Sequence, residues 1–150
     1  GGDIVYSKKI HINKDETAFS LLSKSTTEGI KLIQKFFETI SLKNINELKF
    51  KKQNLSKRKY YSNLNMILKT IDWNKSVDEI DRIFRSTFLG PFKSSLGYPT
   101  IKLNNEVINL KNHEIKKCNH EGPIGKINFV SEDKIKVYCK DGFVKAHIAS

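Results

Sequence analysis

The first segment of the chain, "GGDIVYSKKIHINKDET", alternates hydrophobic and polar positions. Ile4, Tyr6, Ile10 and Ile12 fall on the same side of an extended chain, with Lys8 at the position between them. A period of two over this length is typical of a strand with one buried face. The pattern therefore predicts a β-strand at the beginning of the chain.

A helical period follows this segment. Asp15 and Thr17 are residue types that cap helix N-termini. The apolar residues beyond them, of which the later ones lie three or four positions apart, are Leu21, Leu22, Ile30, Leu32, Ile33, Phe36, Phe37 and Ile40. This spacing predicts a helix with one buried face. Gly29 lowers the helix propensity of the segment, and we interpret it as a site of close packing.

Residues 43–69 show little periodicity. They are basic and contain the interleaved aromatic residues Phe50, Tyr60 and Tyr61. We predict an irregular crossing segment here, with a short strand around Leu48–Lys52.

Two motifs delimit the next predicted helix. Ser76 and Glu79 have the spacing of a capping box, in which each side chain bonds the backbone N–H of the other residue. Gly90 and Pro91 predict the end of the helix, because glycine tolerates a left-handed conformation and proline cannot continue the hydrogen-bond ladder. The predicted buried stripe between these motifs consists of Ile80, Ile83, Phe84 and Thr87 or Phe88.

The last fifty residues predict short strands joined by turns. "YPTIKL" and "EVINLKNHEIKK" flank Asn104-Asn105, "GPIGKINFV" and "KIKVYC" flank "SED", and "KIKVYC" and "FVKAHIA" flank Lys140-Asp141-Gly142. Asparagine tolerates positive φ, and Asp-Gly is the strongest short signal for a hairpin. Four or five antiparallel strands at this spacing predict a small open barrel.

Composition places the chain among ordinary globular proteins. Its 150 residues are 38% hydrophobic, which supplies a core for one domain or two small lobes. No apolar run approaches the roughly 20 residues of a membrane-spanning helix, and the first residues lack the apolar region of a signal peptide. Only Cys118 and Cys139 are present, which disfavours a disulfide scaffold and favours a reducing cytoplasm. We interpret Cys139 as a small core residue of a strand.

The net charge of +11, from 27 Lys and Arg against 16 Asp and Glu, attracts polyanions. The abundance of Lys, Asn and Ile also fits an ordinary solvated lysine surface, which is the interpretation that charge alone favours.

The segment "LSKRKYY" has the same two interpretations: its cations hold phosphates while a tyrosine stacks on a base, or it is a solvated basic loop. Arg85, near the end of the predicted helix, either bonds the last carbonyls or faces water.

The sequence offers little metal or nucleophile chemistry. The spacing of Cys118 and His120 does not match that of zinc fingers or knuckles. The G-x-S-x-G, P-loop and G-x-G-x-x-G motifs do not occur in it. We therefore predict no metal site.

Three segments resemble, in the right order, the N10-formyltetrahydrofolate-dependent formyltransferases, which include methionyl-tRNA formyltransferase and the nucleotide-sugar N-formyltransferases. "GGDIVYSKKIHINKDETAFSLLSKSTTEGIKLIQ" resembles the family's D-x-G-D strand and the helix after it. "IDWNKSVDEIDRIFRSTFLGPF" resembles its I-D-W region, and "EGPIGKINFVSEDKIKVYCKDGFVKAHIA" resembles its terminal barrel. The three segments together cover nearly the whole chain, and their shared order makes the match more specific than any one motif.

The resemblance implies an α+β chain that corresponds to the C-terminal half of such an enzyme. Residues 1–88 would be the tail end of a Rossmann-like formyltransferase core, a strand plus helices, with its connector. Residues 89–150 would form a small antiparallel open β-barrel. The family's reaction uses an Asn, a His and an Asp that lie upstream, the Asp falling just ahead of Gly1, and Asp3 matches only the second acidic position. We therefore map no catalytic residue onto this chain and expect it to be inactive alone.

Within the family, "KRKYY" and "FLGPF" look closer to the sugar-nucleotide type than to the tRNA type. The resemblance then implies transfer of a formyl group from N10-formyltetrahydrofolate, bound mainly by the upstream half, to the amine of a nucleotide-linked amino sugar. The residues it implies for nucleotide contact and the pocket floor are Lys57, Arg58, Tyr60, Tyr61, Arg85, Phe88 and Phe92.

Two alternatives remain open at this point. The chain resembles the C-terminal half of methionyl-tRNA formyltransferase as well, in which case the basic barrel would bind tRNA. The other alternative is a basic module that binds nucleic acid without catalysis. A homodimer through the edge of the barrel is a further expectation, and no membrane partner is expected.

Overall fold

The computed structural model describes residues 2–42, 48–60, 70–92, 94, 97–104 and 106–149. Its helices are α1 (Ala18–Leu42) and α2 (Val77–Thr87), with a short 3₁₀ turn at Leu55–Lys57 between them. Its strands are β1 (Thr100–Leu103), β2 (Glu106–Lys117), β3 (Ile127–Phe129), β4 (Lys134–Cys139) and β5 (Gly142–Ile148). The chain divides into two compact units, Gly1–Tyr61 and Ser62–Ser150.

The first unit is built on helix α1, which begins at the predicted cap. The Thr17 hydroxyl accepts a hydrogen bond from the backbone N–H of Ser20 at 3.1 Å, and the Ser20 hydroxyl accepts one from the N–H of Thr17 at 3.0 Å. This reciprocal pair satisfies two donors that would otherwise lack partners at the beginning of the helix. The Tyr6 hydroxyl lies 3.0 Å from that of Thr39, so the initial segment runs alongside the helix.

The predicted strand at the beginning of the chain is wrong for the described residues. Ile4 forms an isolated antiparallel bridge with Lys51, and residues 6–13 have no regular secondary structure. The short strand predicted around residues 48–52 is likewise reduced to this one bridge. Ile12 is 62% exposed, so the alternating pattern does not correspond to a buried face. A strand needs a continuous row of backbone partners, and local alternation does not provide one.

The predicted buried face of α1 is also wrong. No residue of the helix is buried. The half-buried apolar residues are Leu21, Leu32, Phe36 and Ile40, and the exposed ones are Leu22, Ile30, Ile33 and Phe37. The predicted set therefore combined two neighbouring stripes, of which one is half-buried and the other exposed. A Cβ added at Gly29 would meet no atom within 4 Å, so this glycine is not a site of close packing.

The second unit is an open, curled antiparallel sheet, a half-barrel with the strand order β1-β2-β5-β4-β3. The predicted strands and turns are confirmed. Asn104 has a φ of 49° between β1 and β2, and the β4–β5 hairpin pairs Cys139 with Gly142. The register of β2 shifts between Lys111 and Glu114, where Asn112 has a φ of 47°. Two residues, Asn112 and His113, lie between these paired positions, and the irregularity changes the side of the strand that they face.

The core of this unit lies between α2 and one face of the sheet. Its fully buried members include Val77 and Ile80 from the helix and Val137, Cys139 and Val144 from β4 and β5. Cys139 is thus the small core residue that strand alternation predicted, and burial raises the pKa of its thiol. Because every second residue of β4 is buried, the remaining side chains of that strand face away from the helix.

Helix α2 begins at the predicted capping box. The Ser76 hydroxyl accepts from the N–H of Glu79, and the Glu79 carboxylate accepts from the N–H of Ser76 at 3.1 Å. A further contact comes from the β4–β5 hairpin, where Asp141 Oδ1 accepts from the N–H of Val77 at 2.7 Å. The hairpin therefore holds the positive end of the helix with a carboxylate.

The end of α2 differs from the prediction. The helix ends at Thr87, three residues before Gly90, and Phe88 is the C-cap residue with 49% of its surface exposed. Phe88 is therefore not part of the buried stripe, which contains Ile80 and Phe84. Gly90 does adopt the left-handed conformation, with a φ of 61°, in the turn that follows.

As a packing unit, α2 belongs with the sheet, since both lie in Ser62–Ser150. The predicted domain boundary between residues 88 and 89 stays a prediction. In the described part of the chain, no helix is both long and apolar enough to cross a bilayer.

Candidate functional site

The basic aromatic segment predicted for nucleotide contact is exposed over its described part, which ends at Tyr60. Asn54 caps the 3₁₀ turn, its side chain accepting from the N–H of Ser56 at 3.0 Å. This turn leads directly into Arg58, whose guanidinium carbon lies 4.3 Å from the centroid of the Tyr60 ring. Tyr60 is 75% exposed, and Lys57 and Arg58 are exposed as well. The stacked pair presents one fixed cation and one accessible ring.

The charge of this segment has one sign. Between residues 48 and 60 the sequence has six Lys and Arg residues and no Asp or Glu. Among the described residues, none of these cations forms a salt bridge. Such a segment attracts phosphate groups. Tyr61, also predicted for this site, lies outside the described residues.

The other three predicted residues lie in the second unit, around the end of α2. Phe88 and Phe92 are 49% and 65% exposed, and the N–H of Phe92 donates to the carbonyl of Leu89 in the turn around Gly90. Arg85 is only 17% exposed, and its Nε donates to Asp81 Oδ2 at 2.6 Å. The two aromatic rings are therefore accessible, whereas the guanidinium of Arg85 is engaged within the fold.

Asp81 joins Arg85 to His113, a contact that the sequence did not predict. Asp81 Oδ1 lies 2.7 Å from His113 Nε2, and an ionised carboxylate only accepts, so Nε2 carries the hydrogen. The ring of Phe84 stacks on that of His113 with centroids 4.2 Å apart and planes 12° apart. The spacing of Asp81 and Arg85 by four residues signals their pairing on a helix. His113 had no such signal, because the irregularity of β2 directs it.

This cluster changes the proton affinity of its carboxyl group. Burial by itself raises the pKa of Asp81, but the hydrogen bonds and positive charges of His113 and Arg85 outweigh burial, so that its pKa lies below the ordinary value. A lowered carboxyl pKa stabilises the folded state above the unfolded pKa of about 4, and this stabilisation is lost as the pH falls through the folded pKa. At neutral pH the cluster therefore stabilises the contact between α2 and β2.

Asp81→Asn is expected to lower the free energy of unfolding at pH 7 by about 2 kcal/mol, because it removes the charge that faces two donors. The difference from the unchanged protein should shrink as the pH falls below about 4, where both carry a neutral group at this position. Urea unfolding at several pH values measures this effect. The control is Asp78→Asn, at an exposed salt bridge with Lys117, which should cause no measurable loss. A difference that is constant from pH 7 to pH 3 would contradict the assignment.

On the face of the sheet that points away from α2, lysine ammonium groups lie over aromatic rings. Lys136 and Lys145 are directly opposite each other on β4 and β5, an arrangement of like charges that costs stability. The Lys136 ammonium lies 4.2 Å from the ring centroid of Phe143, and that of Lys145 lies 5.8 Å from it. Lys136 also donates to the Tyr138 hydroxyl at 2.9 Å. This face can attract an extended anion, and we call it the lysine face.

A groove of about 420 Å³ lies in the first unit, between its initial segment and α1. Its lining includes Lys8, Lys9, His11 and Lys24, with Ile10 as its one apolar side chain. This lining does not fit the aromatic pterin ring of a folate.

In residues 2–42, 48–60 and the other described segments, no group of three His, Cys, Asp or Glu side chains is arranged to hold a metal ion.

Comparison with known proteins gives a relative in sequence. The chain is 31% identical over 94 residues to the methionyl-tRNA formyltransferase of Agathobacter rectalis, a match that covers 63% of this chain and 29% of the relative. No family model matches the chain.

Solved structures share the fold over nearly the whole chain. The N-formyltransferase from Helicobacter canadensis, in complex with folinic acid and dTDP-3-aminofucose, matches 99% of this chain and 51% of its own, with a TM-score of 0.61 and 20% identity. WlaRD, a sugar 3N-formyltransferase crystallised in the presence of dTDP and 5-N-formyl-THF, matches 99% and 50%, with a TM-score of 0.58 and 21% identity. A HypX variant from Aquifex aeolicus matches 97% and 25%, with a TM-score of 0.66 and 13% identity.

The chain thus spans about half the length of the two sugar N-formyltransferases, and less of the other two proteins. The resemblance found in the sequence is confirmed by a sequence relative and by structures that share its fold. This chain is similar to the formyltransferases, in sequence over 94 residues and in fold over nearly its whole length.

Proposed function

We propose that this chain is the C-terminal portion of a formyltransferase that acts on a nucleotide-linked amino sugar, and that its part in the reaction is to hold the nucleotide. The amine of the sugar would take the formyl group of N10-formyltetrahydrofolate. The observation that carries the proposal is the exposed Arg58–Tyr60 stack in a segment of six cations without an acid.

The chemistry of a nucleoside diphosphate fits this segment. Its pyrophosphate requires cations, and Lys57 is the last residue of the capped turn, with Arg58 directly after it. Its base requires a flat surface, and the Tyr60 ring is 75% exposed with Arg58 on it. Phe88 and Phe92 belong to the second unit, and their part in a pocket floor stays the prediction that the sequence resemblance implied.

The folate is assigned, as part of the proposal, to the portion of the fold that this chain does not span. Two observations support this assignment. The described groove does not suit a pterin, and the chain covers only half of relatives that were crystallised with folinic acid or 5-N-formyl-THF. We accordingly propose that the chain alone transfers no formyl group.

The test is ligand-induced thermal stabilisation of the protein in 150 mM salt, with dTDP, UDP and tRNA as separate ligands. We expect dTDP to raise the melting temperature more than tRNA does. Arg58→Ala should weaken dTDP binding about fivefold, because a cation–π pair and a phosphate contact are both lost. Lys52→Ala, in the same basic segment, is the matched control and should leave dTDP binding nearly unchanged. Equal or larger stabilisation by tRNA would overturn the sugar proposal.

A second candidate, methionyl-tRNA formyltransferase, is favoured by the 31% identity to that enzyme and by the lysine face. Binding to the phosphate backbone of tRNA would be steeply salt-dependent, whereas the stacked nucleoside of dTDP would be less so. The tRNA arm of the experiment above, repeated at two salt concentrations, therefore distinguishes the candidates.

A further inference from the structure

The basic segment 48–60 is attached to the beginning of the chain at two points. Ile4 and Lys51 exchange backbone hydrogen bonds, in which the N–H of each donates to the carbonyl of the other at 2.9 Å. Two residues further along, the side-chain Nε2 of Gln53 donates to the backbone carbonyl of Gly2. Among the described residues, no other hydrogen bond, ion pair or ring contact joins this segment to another part of the chain.

Local contacts lead from the second point to the stacked pair. Asn54 directly follows Gln53, and its side chain accepts from the N–H of Ser56 as the cap of the 3₁₀ turn. Arg58 closes the other end of the turn, into which its N–H donates at 3.1 Å. The guanidinium of Arg58 then lies over the Tyr60 ring. The placement of Gln53 therefore sets the direction in which the turn and the stack leave the beginning of the chain.

Two points of attachment restrict a segment more than one point does. The Ile4–Lys51 bridge alone leaves the residues after it free to rotate about their backbone bonds. The Gln53 amide limits this freedom, because position 53 lies opposite position 2 in the antiparallel register of the bridge. Ordering a backbone costs free energy, which a ligand does not have to supply where the segment is ordered beforehand.

We propose that Gln53 is a positioning residue of the nucleotide site. Its amide holds residues 54–60 in the orientation in which Arg58 and Tyr60 take a nucleoside diphosphate. Gln53 acts through Gly2 and contacts no ligand itself. An amide suits this place, because it donates to a carbonyl without adding another positive charge to the segment. This inference rests on the proposed function, to which it adds the residue that pre-organises the site.

The test measures dTDP binding to the protein by isothermal titration calorimetry, under the salt conditions given above. Gln53→Met keeps the length of the side chain and removes its donor. It is expected to weaken dTDP binding about threefold, because the ligand then has to order the segment. The melting temperature without ligand should stay nearly unchanged, because the bond is exposed. Gln34→Met, at an exposed position of α1, is the matched control and should leave dTDP binding unaltered.

A second variant replaces the hydrogen bond by a covalent one. Gly2→Cys combined with Gln53→Cys places two thiols at opposite positions, and a Cβ at position 2 meets no atom within 4 Å. We expect the oxidised form to bind dTDP at least as tightly as the unchanged protein, and the reduced form to bind it about threefold more weakly. Peptide mass spectrometry verifies the bond. Both forms have the same sequence, so a difference in affinity reports the attachment, whereas a merely structural bond would change only the melting temperature.

The outcomes separate this inference from the proposed function. Equal dTDP affinities of the unchanged protein and Gln53→Met would refute the positioning role while the proposed function stands. Equal affinities of the oxidised and reduced forms of the double-cysteine variant would refute it as well. If dTDP does not bind the unchanged protein, the proposed function is wrong, and this inference is wrong with it.

Discussion

Gly142→Ala is expected to lower the free energy of unfolding of the second unit by about 3 kcal/mol, the upper part of the range for overpacking a core. A Cβ at this position would lie 2.0 Å from the backbone oxygen of Lys116 and 2.9 Å from a methyl carbon of Val77. The oxygen belongs to the paired strand β2, so it cannot move without disturbing the register of Lys116 and Lys117 with β5. Glycine is required here for the close approach of two backbones.

Thermal unfolding followed by circular dichroism measures this effect, and for a domain of this size each kcal/mol corresponds to about 4–8 °C. Gly29→Ala is the matched control. Position 29 is inside α1 and a Cβ there meets no atom, so the change should be neutral or should stabilise the helix by up to about 1 kcal/mol. If both substitutions had the same effect on the melting temperature, the close packing of Gly142 against β2 would be refuted.

Phe84→Ala is expected to cost about 3–5 kcal/mol, the range for deleting a buried aromatic side chain. Phe84 is 4% exposed, and it packs in the core between α2 and the sheet. It also supports the ring of His113, which holds Asp81. The substitution therefore removes a core side chain and the surface on which the Asp81–His113 contact rests.

Equilibrium denaturation in urea tests this expectation. Phe129→Ala is the control, since Phe129 lies on β3 and is 57% exposed, and its loss should change the stability by no more than about 0.5 kcal/mol. An additional readout is the Asp81→Asn effect, which should be smaller in the Phe84→Ala background because the two sites share His113. Full additivity of the two changes would show that Phe84 does not position the histidine.

Several elements could be predicted because their signals are contained in a few neighbouring residues. The Ser76–Glu79 capping box and the alternation of β4 each depend on contacts within one turn or one strand. The β4–β5 hairpin was predicted for a different reason from the one that the structure gives. Asp-Gly is a turn signal, whereas in the structure Gly142 has no positive φ and is needed for its close approach to the backbone oxygen of Lys116.

The candidate site was predictable only as separate pieces. The cations and ring of residues 57–60 are visible in the sequence, and so is the aromatic pair Phe88 and Phe92. The engagement of Arg85 by Asp81 and His113 was not foreseen, because His113 comes from a strand 32 residues away from Asp81. The place of Arg85 in the pocket floor stays a prediction, whereas its contact with Asp81 is structural.

By itself, then, the sequence determined the positions of α1, α2 and the five strands, since helix caps, side-chain periods and turn residues act over distances of a few residues. Tertiary structure decided which of those patterns became buried. Ile4 forms a single β-bridge and is not part of a sheet. The apolar residues of α1 are divided between a half-buried side and an exposed side of the helix. Burial depends on which surfaces from distant parts of the fold pack against each other. A local hydrophobic period predicts that one face of an element is buried, but it does not predict which segment packs on that face.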